Sequence, residues 1–84
     1  MNNTIMRSIA MQAAYARLSD TRVVGTVTLT SALGNAATVY LKGDTGDDVP
    51  LAPGEWHTFE RINLAAIEAK GTAGDILTVV GGTW

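Results

Sequence analysis

The sequence predicts a mainly β protein: a small antiparallel β-sandwich or jelly-roll-like barrel of about six short strands, with an N-terminal helix or extended arm. Short runs of residues alternate apolar and polar side chains, which is the period of a half-buried strand. Turns that contain glycine separate these runs. A length of 84 residues is typical of one domain. We therefore expect an arm or helix over residues 1–20 and a β domain over residues 21–84.

Residues 1–20 differ from the remainder because they are rich in alanine and methionine and contain no glycine or proline. Ile5 and Ile9 lie at helical spacing, and Thr4 is a suitable N-cap, which favours a helix. The alternation from Ile9 to Tyr15 also fits one face of a strand, so an extended arm remains an alternative. In either form, the segment packs on its own β domain or reaches a neighbouring subunit.

The next part of the chain predicts two strands joined as a hairpin. Residues 23–30 alternate valine and leucine with threonine, which is typical of a strand with one solvent-exposed face. Gly25 within this run indicates a bulge or a close approach of another backbone. Residues 37–42 resume the alternation after a loop at 31–35, and the two strands are expected to pair.

Residues 43–48 contain three aspartates and two glycines and form an acidic cluster. Oxygen ligands in a flexible loop suit Ca²⁺, but the spacing is not that of an EF-hand loop. A solvated turn explains the cluster more simply, because aspartate and glycine are common turn residues.

A second hairpin is predicted around the dipeptide Pro53-Gly54. Proline presets φ at the second position of a type II turn, and glycine takes the positive φ of the third. Residues 49–52 and 56–59 would be its strands. Pro50 has no N–H for a ladder, so the first of them should lie at a sheet edge.

The sequence of the C-terminal part predicts a capped helical turn, a tight turn and a central strand. Asn63 can cap a single helical turn, although a short strand fits as well. Residues 71–75 form a turn in which two glycines allow positive φ. Residues 76–80 are apolar on both faces, which indicates a central strand or a face covered by a partner. Trp84 should dock on its own domain or on a partner.

Composition excludes several classes of function. The chain has no cysteine and one histidine, His57, so neither disulfides nor a cofactor or metal site is expected. Lysines and arginines are scattered and the net charge is −2, which disfavours nucleic acid. No apolar run reaches the roughly 20 residues of a membrane span, and no signal-peptide pattern begins the chain, so we expect synthesis in a cytoplasm. A small domain without bridges or metals is expected to gain stability by association.

No pattern in the sequence predicts catalysis. His57 has no accompanying nucleophile motif. Glu55, Glu60 and Glu68 lie on separate short segments and carry no signature of paired catalytic carboxylates. The GTAGD turn lacks the lysine and the helix of a phosphate-binding loop. We therefore expect that the protein is not an enzyme.

Apolar and aromatic side chains are the candidates for partner contacts, because such residues anchor protein interfaces. The residues predicted to contact partners are Ile5, Ile9, Tyr15, Trp56 and Trp84. An alternative is a carbohydrate site lined by Trp56, Trp84, Tyr40 and Phe59. For Trp56 and Phe59 the preferred interpretation is a place in the core or in a subunit contact.

Two stretches, VPLAPGEWHTF and INLAAIEAKGTAGDILTVVGG, resemble a pattern in small structural proteins of tailed bacteriophages. In that pattern an L-x-P-G-E turn is followed by an A-K-G-T-A-G-D turn and a final strand. The upstream stretch VTLTSALGNAATVYL is also similar, so the resemblance covers roughly residues 21–82. The matching positions are Leu51, Pro53, Gly54, Glu55, Ile67, Lys70, Gly71, Thr72, Gly74, Asp75 and Val79.

The resemblance implies a virion component without catalytic residues. The expected role is a capsid decoration (cement) protein that binds the outside of a phage capsid as a homo-oligomer, with a trimer expected, and stabilises it. Its partners would be itself and the major capsid protein or other virion proteins, and it would reside in the virion, assembled in the host cytoplasm. The N-terminal segment lies outside the resemblance, and we expect it to supply anchoring contacts while the β domain supplies oligomer contacts. Alternatives are a neck, tail or fibre-base component, or a small carbohydrate- or ligand-binding β-sandwich.

Overall fold

The computed structural model describes residues 3–83 and is mainly β. Within this range two antiparallel four-stranded sheets enclose one apolar core. Sheet A has the strand order β1-β8-β3-β6, and sheet B has the order β2-β7-β4-β5. The elements are β1 Thr4–Ala10, β2 Ala16–Arg17, β3 Val24–Ser31, β4 Val39–Lys42, β5 Val49–Leu51, β6 Trp56–Asn63, a 3-10 turn Leu64–Ala66, β7 Glu68–Lys70 and β8 Ile76–Thr83.

The prediction of an N-terminal helix or extended arm is wrong for the described part of that segment. Residues Thr4–Ala10 form an edge strand of sheet A, paired with β8 from Thr4 to Ala10. Ile5 and Ile9 share the core-facing side of this strand, because residues four apart lie on one face of a strand as well as of a helix. The β1 strand is thus part of the sheet and completes the core.

Strand β3 follows the predicted alternation. Val27 and Leu29 are buried, and the threonines between them point to the other face. Of the two features predicted at Gly25, the close approach is confirmed, because a Cβ there would overlap the carbonyl oxygen of Gly82 on β8. The β3–β6 register also shifts beside Gly25, but the extra residue lies on β6, where Arg61 has a φ of 52°.

Both predicted hairpins are wrong in their pairing. Strand β3 lies in sheet A, where it pairs with β6 and β8, whereas β4 lies in sheet B. Strand β5 pairs with β4, whereas β6 pairs with β3. Each of these connections therefore crosses from one sheet to the other. Crossing loops bring strands that are distant in sequence side by side and fold the apolar faces onto each other.

The predicted turns are confirmed where they carry the chain between sheets. Gly54 has a φ of 84°, and the N–H of Glu55 donates to the carbonyl of Ala52 at 2.8 Å, as in a type II turn. Gly74 has a φ of 97° in the turn before β8. Asn63 caps the 3-10 turn, because its side-chain oxygen accepts a hydrogen bond from the N–H of Ala65 at 3.1 Å.

The core lies between the sheets and contains mostly aliphatic side chains. Strand β8 is central, between β1 and β3, as predicted for residues 76–80. Its core face carries Leu77 and Val79, which are fully buried. The buried apolar residues are Ile5, Met11, Leu18, Val27, Leu29, Val39, Leu41, Leu51, Leu64, Ala69, Leu77 and Val79.

Candidate functional site

The outward face of sheet A is exposed, and we call its uncharged part the threonine face. Residues directly opposite each other in antiparallel strands project to the same side, so the pairing register defines its rows. The threonine face consists of Thr4, Met6, Ser8, Ala10, Thr26, Thr28, Thr30, Trp56, Thr58, Ile76, Thr78, Val80 and Gly82. None of these side chains is charged. Glu60, the next outward residue on β6, lies at one corner.

The apolar members of the threonine face are strongly exposed. Relative exposure is 73% for Met6, 60% for Trp56, 47% for Val80 and 38% for Ile76. Met6 and Trp56 lie on β1 and β6, the two edge strands of the sheet. Large apolar side chains grouped on one exposed face are typical of an interaction surface.

Hydroxyl groups between these apolar residues are held in place. The Oγ1 atoms of Thr28 and Thr58 lie 2.9 Å apart, within hydrogen-bond distance, across the β3–β6 pair. Thr78 Oγ1 donates to the carbonyl of Thr30 at 3.3 Å. Threonine is stiff at χ1, so this surface loses little side-chain entropy when a partner covers it. The arrangement suits a flat, neutral protein surface better than a small charged ligand.

The outward face of sheet B is chemically different and is built around Tyr15. Its hydroxyl donates a hydrogen bond to the carboxylate of Asp48. The ammonium groups of Lys42 and Lys70 lie 4.4 and 4.8 Å from the centre of its ring, at cation–π distance. Lys42 also forms an ion pair with Glu68 at 3.1 Å. The charged and hydrogen-bonding groups of this cluster therefore find their partners within it.

Partial burial and the bond to Asp48 raise the pKa of Tyr15 to about 12. Desolvation disfavours the charged phenolate, and the nearby carboxylate repels it. The Tyr15 hydroxyl therefore stays protonated and acts as a donor that ties the acidic loop to sheet B.

The five residues predicted to contact partners are not brought together. Ile5 is buried in the core, and Ile9 packs against it, so neither offers an apolar surface to a partner. Tyr15 is half-buried in the cluster on sheet B. Trp56 is exposed on the threonine face, and Trp84 lies outside the described residues.

Sequence reasoning missed most of the threonine face. A signal was present, because threonine occupies three alternate positions of β3, at 26, 28 and 30. These positions were interpreted only as a solvated side. Their neighbours Met6 and Val80 come from the two ends of the chain, and only the pairing register of β1, β8 and β3 places them together.

The groups considered for catalysis or metal binding remain apart. His57 is exposed on β6 opposite Leu29. Over residues 3–83, no three His, Cys, Asp or Glu side chains are grouped so as to hold a metal ion. Asp75, a buried carboxylate, accepts hydrogen bonds from the backbone N–H groups of Ala36 and Ala37. Its role is therefore to hold a loop.

The part of the chain that the structure describes contains no helix with the length and apolar character required to cross a bilayer. Comparison of the chain with models of protein families, with curated proteins and with solved structures found no match.

Proposed function

We propose that this protein is a non-enzymatic structural component of a phage virion. In this role a small β-sandwich decorates the outside of the capsid as a homo-oligomer and stabilises the shell. The observation that carries the proposal is the threonine face, an exposed, uncharged sheet surface with Met6, Trp56 and Val80 on it. The resemblance to small structural proteins of tailed bacteriophages directs the proposal to a virion.

The size of the threonine face favours a repetitive partner. Four strands about 4.8 Å apart and about 20 Å long present on the order of 400 Å². A stable one-to-one interface buries roughly 800 Å² on each partner, so this face alone would bind a single protein weakly. An oligomer on a capsid engages several equivalent sites at once, and the effective concentration of the second site then raises the avidity.

Neutrality of the face is the second consideration. A surface without charges has no long-range attraction for nucleic acid or charged membranes. Its contacts depend on apolar burial and on hydroxyl hydrogen bonds, which suit a folded protein surface of matching shape. A neck, tail or fibre-base protein presents such a surface as well, and it is the alternative within the virion.

A charge at the centre of the face tests the proposal. Val80→Lys places an ammonium group on an exposed residue of β8, and Thr72→Lys adds the same charge to an exposed turn outside the face. The measurement is co-sedimentation with undecorated shells assembled from the major capsid protein of the same phage genome. We expect wild type and Thr72→Lys to bind and Val80→Lys to lose at least tenfold in affinity.

Thermal unfolding of both variants shows whether they are folded. Wild-type protein that fails to bind shells, or Val80→Lys protein that is folded and binds like wild type, would contradict the proposed role. Binding to purified necks or tails instead of shells would favour the alternative virion location.

Carbohydrate binding is a second candidate function because the ring of Trp56 is 60% exposed beside threonine hydroxyls. An exposed tryptophan can stack on the apolar face of a sugar. Titration of tryptophan fluorescence with oligosaccharides, compared between wild type and Trp56→Phe, separates this candidate from the first. Saturable quenching in wild type alone would support it.

A further inference from the structure

Three exposed arginines lie at one lateral edge of the fold and four exposed carboxylates lie at the other, although the net charge of the chain is only −2. We propose that copies of this chain associate head-to-tail, with the basic edge of one copy against the acidic edge of the next. The basic edge consists of Arg7, Arg17 and Arg22, and the acidic edge consists of Asp44, Asp47, Glu55 and Glu60. This contact would build the oligomer that the proposed decoration role requires, and its biological purpose rests on that role.

The basic edge lies along β1 and β2, which are terminal strands of sheets A and B. Arg7 is on β1, Arg17 is on β2, and Arg22 lies in the segment that leads into β3. All three are exposed. Arg7 donates a hydrogen bond to the carbonyl of Leu18 at 3.4 Å, which holds its guanidinium between the two sheets. The acidic residues in this region are Asp20 and Glu68, which lies opposite Arg17 in the β2–β7 pair.

Arg7 and Arg22 line the same open groove, of about 760 Å³. Its other walls include Asn3, Thr4 and Thr83, which are polar. A groove with two guanidinium groups and several neutral polar side chains fits carboxylates, because guanidinium donates paired hydrogen bonds to them.

The acidic edge lies at the opposite ends of both sheets, along β5 and β6. Glu60 is on β6, and Glu55 comes directly before it. Asp44 and Asp47 lie in the loop between β4 and β5 and line a groove of about 280 Å³ with Val49 and Phe59, which belong to β5 and β6.

All four carboxylates of the acidic edge are exposed. The basic residues of this region are Arg61 on β6 and Lys42, which lines the same groove as Asp44 and Asp47. Acidic side chains thus lie on the flank of the fold opposite the arginines, and the two flanks have complementary charge.

Strand direction permits the same contact. Every pairing in both sheets is antiparallel, and each sheet has four strands. Strands β1 and β6 therefore run in opposite directions, as do β2 and β5. A neighbouring copy in the same orientation would place its β6 antiparallel beside β1 and its β5 antiparallel beside β2.

The edges of sheet A are long enough for such a contact, with 7 residues in β1 and 8 in β6. Neither strand contains proline, so none of the backbone N–H groups that point away from the sheet is missing along these edges. The two edges that offer free backbone groups are also the two that carry opposite charge. A head-to-tail contact of this type closes into a ring when its rotation angle divides a full turn.

Charge-reversal variants test the contact. One variant carries Arg7→Glu and Arg22→Glu, and the other carries Asp47→Lys and Glu60→Lys. The measurement is molar mass by light scattering after size exclusion. We expect wild type to have a multiple of 8.8 kDa at low salt and to dissociate as salt increases. Each variant alone should be monomeric, and in an equimolar mixture the two variants should associate with each other, with full recovery of wild-type mass if the ring has an even number of subunits.

Restoration on mixing is specific to a head-to-tail contact. In the mixture each variant supplies one native edge, and the two reversed edges are again opposite in charge. A wild-type mass of one chain, or two folded variants that stay monomeric when mixed, would overturn the inference. Circular dichroism and thermal unfolding confirm that each variant is folded.

Shell binding by the same samples separates this inference from the proposed function. Monomeric wild-type protein that still binds shells would reject the edge contact and leave the decoration role standing. A salt-sensitive ring that ignores shells would support the edge contact and reject the decoration role.

Discussion

The carboxylate of Asp75 accepts a hydrogen bond from the backbone N–H of Ala36 at 2.9 Å. Its second oxygen accepts from the N–H of Ala37 at 3.1 Å. Asp75 ends the turn before β8 in sheet A, and Ala37 precedes β4 in sheet B, so one buried side chain links the approaches to both sheets. The backbone donors at 36 and 37 thus share one buried acceptor, the carboxylate of Asp75.

Replacing this carboxylate should therefore destabilise the fold. In Asp75→Ala both N–H groups lose their partner, and a buried unsatisfied donor costs roughly 1–3 kcal/mol. Asp75→Asn keeps one carbonyl oxygen as an acceptor, so its loss should be smaller. Chemical denaturation of the two variants and wild type measures the free energy of unfolding. Equal stability of Asp75→Ala and wild type would contradict this account.

Substitution by alanine should lower stability strongly at Gly81 and hardly at all at its neighbour Gly82, both on β8. A Cβ at Gly81 would overlap the carbonyl oxygen of Thr26 and lie 2.7 Å from the Cα of Val27, both on the paired strand β3. A Cβ at Gly82 would meet its nearest atom, the carbonyl oxygen of Asn3, at an ordinary 3.5 Å. Backbone atoms cannot yield without breaking the ladder between β3 and β8.

We expect Gly81→Ala to lower the free energy of unfolding by about 3 kcal/mol or more, because overpacking against backbone exceeds the usual cost of an extra methyl group. Gly82→Ala is the matched control and should change stability by under about 1 kcal/mol. Thermal unfolding followed by circular dichroism compares the two. A Gly81→Ala protein as stable as the control would show that strands β3 and β8 can separate locally at low cost.

Much of the local structure could be predicted because it depends on near neighbours in sequence. Alternation located β3 and β8, glycine chemistry located the turns at Gly54 and Gly74, and Asn63 was recognised as a cap. The pairing of strands could not be predicted in the same way. A type II turn such as Pro53-Gly54 reverses the chain equally well within one sheet or between two.

The N-terminal strand shows a second reason why structure could not be predicted fully from the sequence. Ile5 and Ile9 are four residues apart, a spacing that fits one face of a helix or of a strand, and alanine-rich composition favoured the helix. The partner strand β8 lies more than 60 residues away and decided the outcome. Part of the candidate interaction surface was missed for the same reason, because Met6 and Val80 become neighbours only through this pairing.

A cavity in the core should be far more costly than loss of a leucine from the surface. Leu29 on β3 is fully buried, whereas Leu33 in the following loop is 85% exposed. Leu29→Ala should lower the free energy of unfolding by about 2–5 kcal/mol, the usual range for a buried leucine. Leu33→Ala should be close to neutral, and denaturant titration of the pair measures the contrast. A small effect at Leu29 would mean that the core collapses around the missing side chain.

The Tyr15 cluster should make stability depend on alkaline pH. The pKa of Tyr15 is raised from 10.0 to about 12 by partial burial and by the bond to Asp48. Because the folded pKa is the higher one, folding favours the protonated phenol. The resulting stabilisation is complete below pH 10 and is lost as the pH rises through 12.

Ultraviolet absorbance of tyrosinate measures this directly in a Tyr40→Phe variant, in which Tyr15 is the remaining tyrosine. We expect an ionisation midpoint near 12. Asp48→Asn removes the neighbouring negative charge and should move the midpoint of Tyr15 towards its ordinary value. A midpoint near 10 in the protein that retains Asp48 would show that the hydroxyl is solvated and does not hold the acidic loop against sheet B.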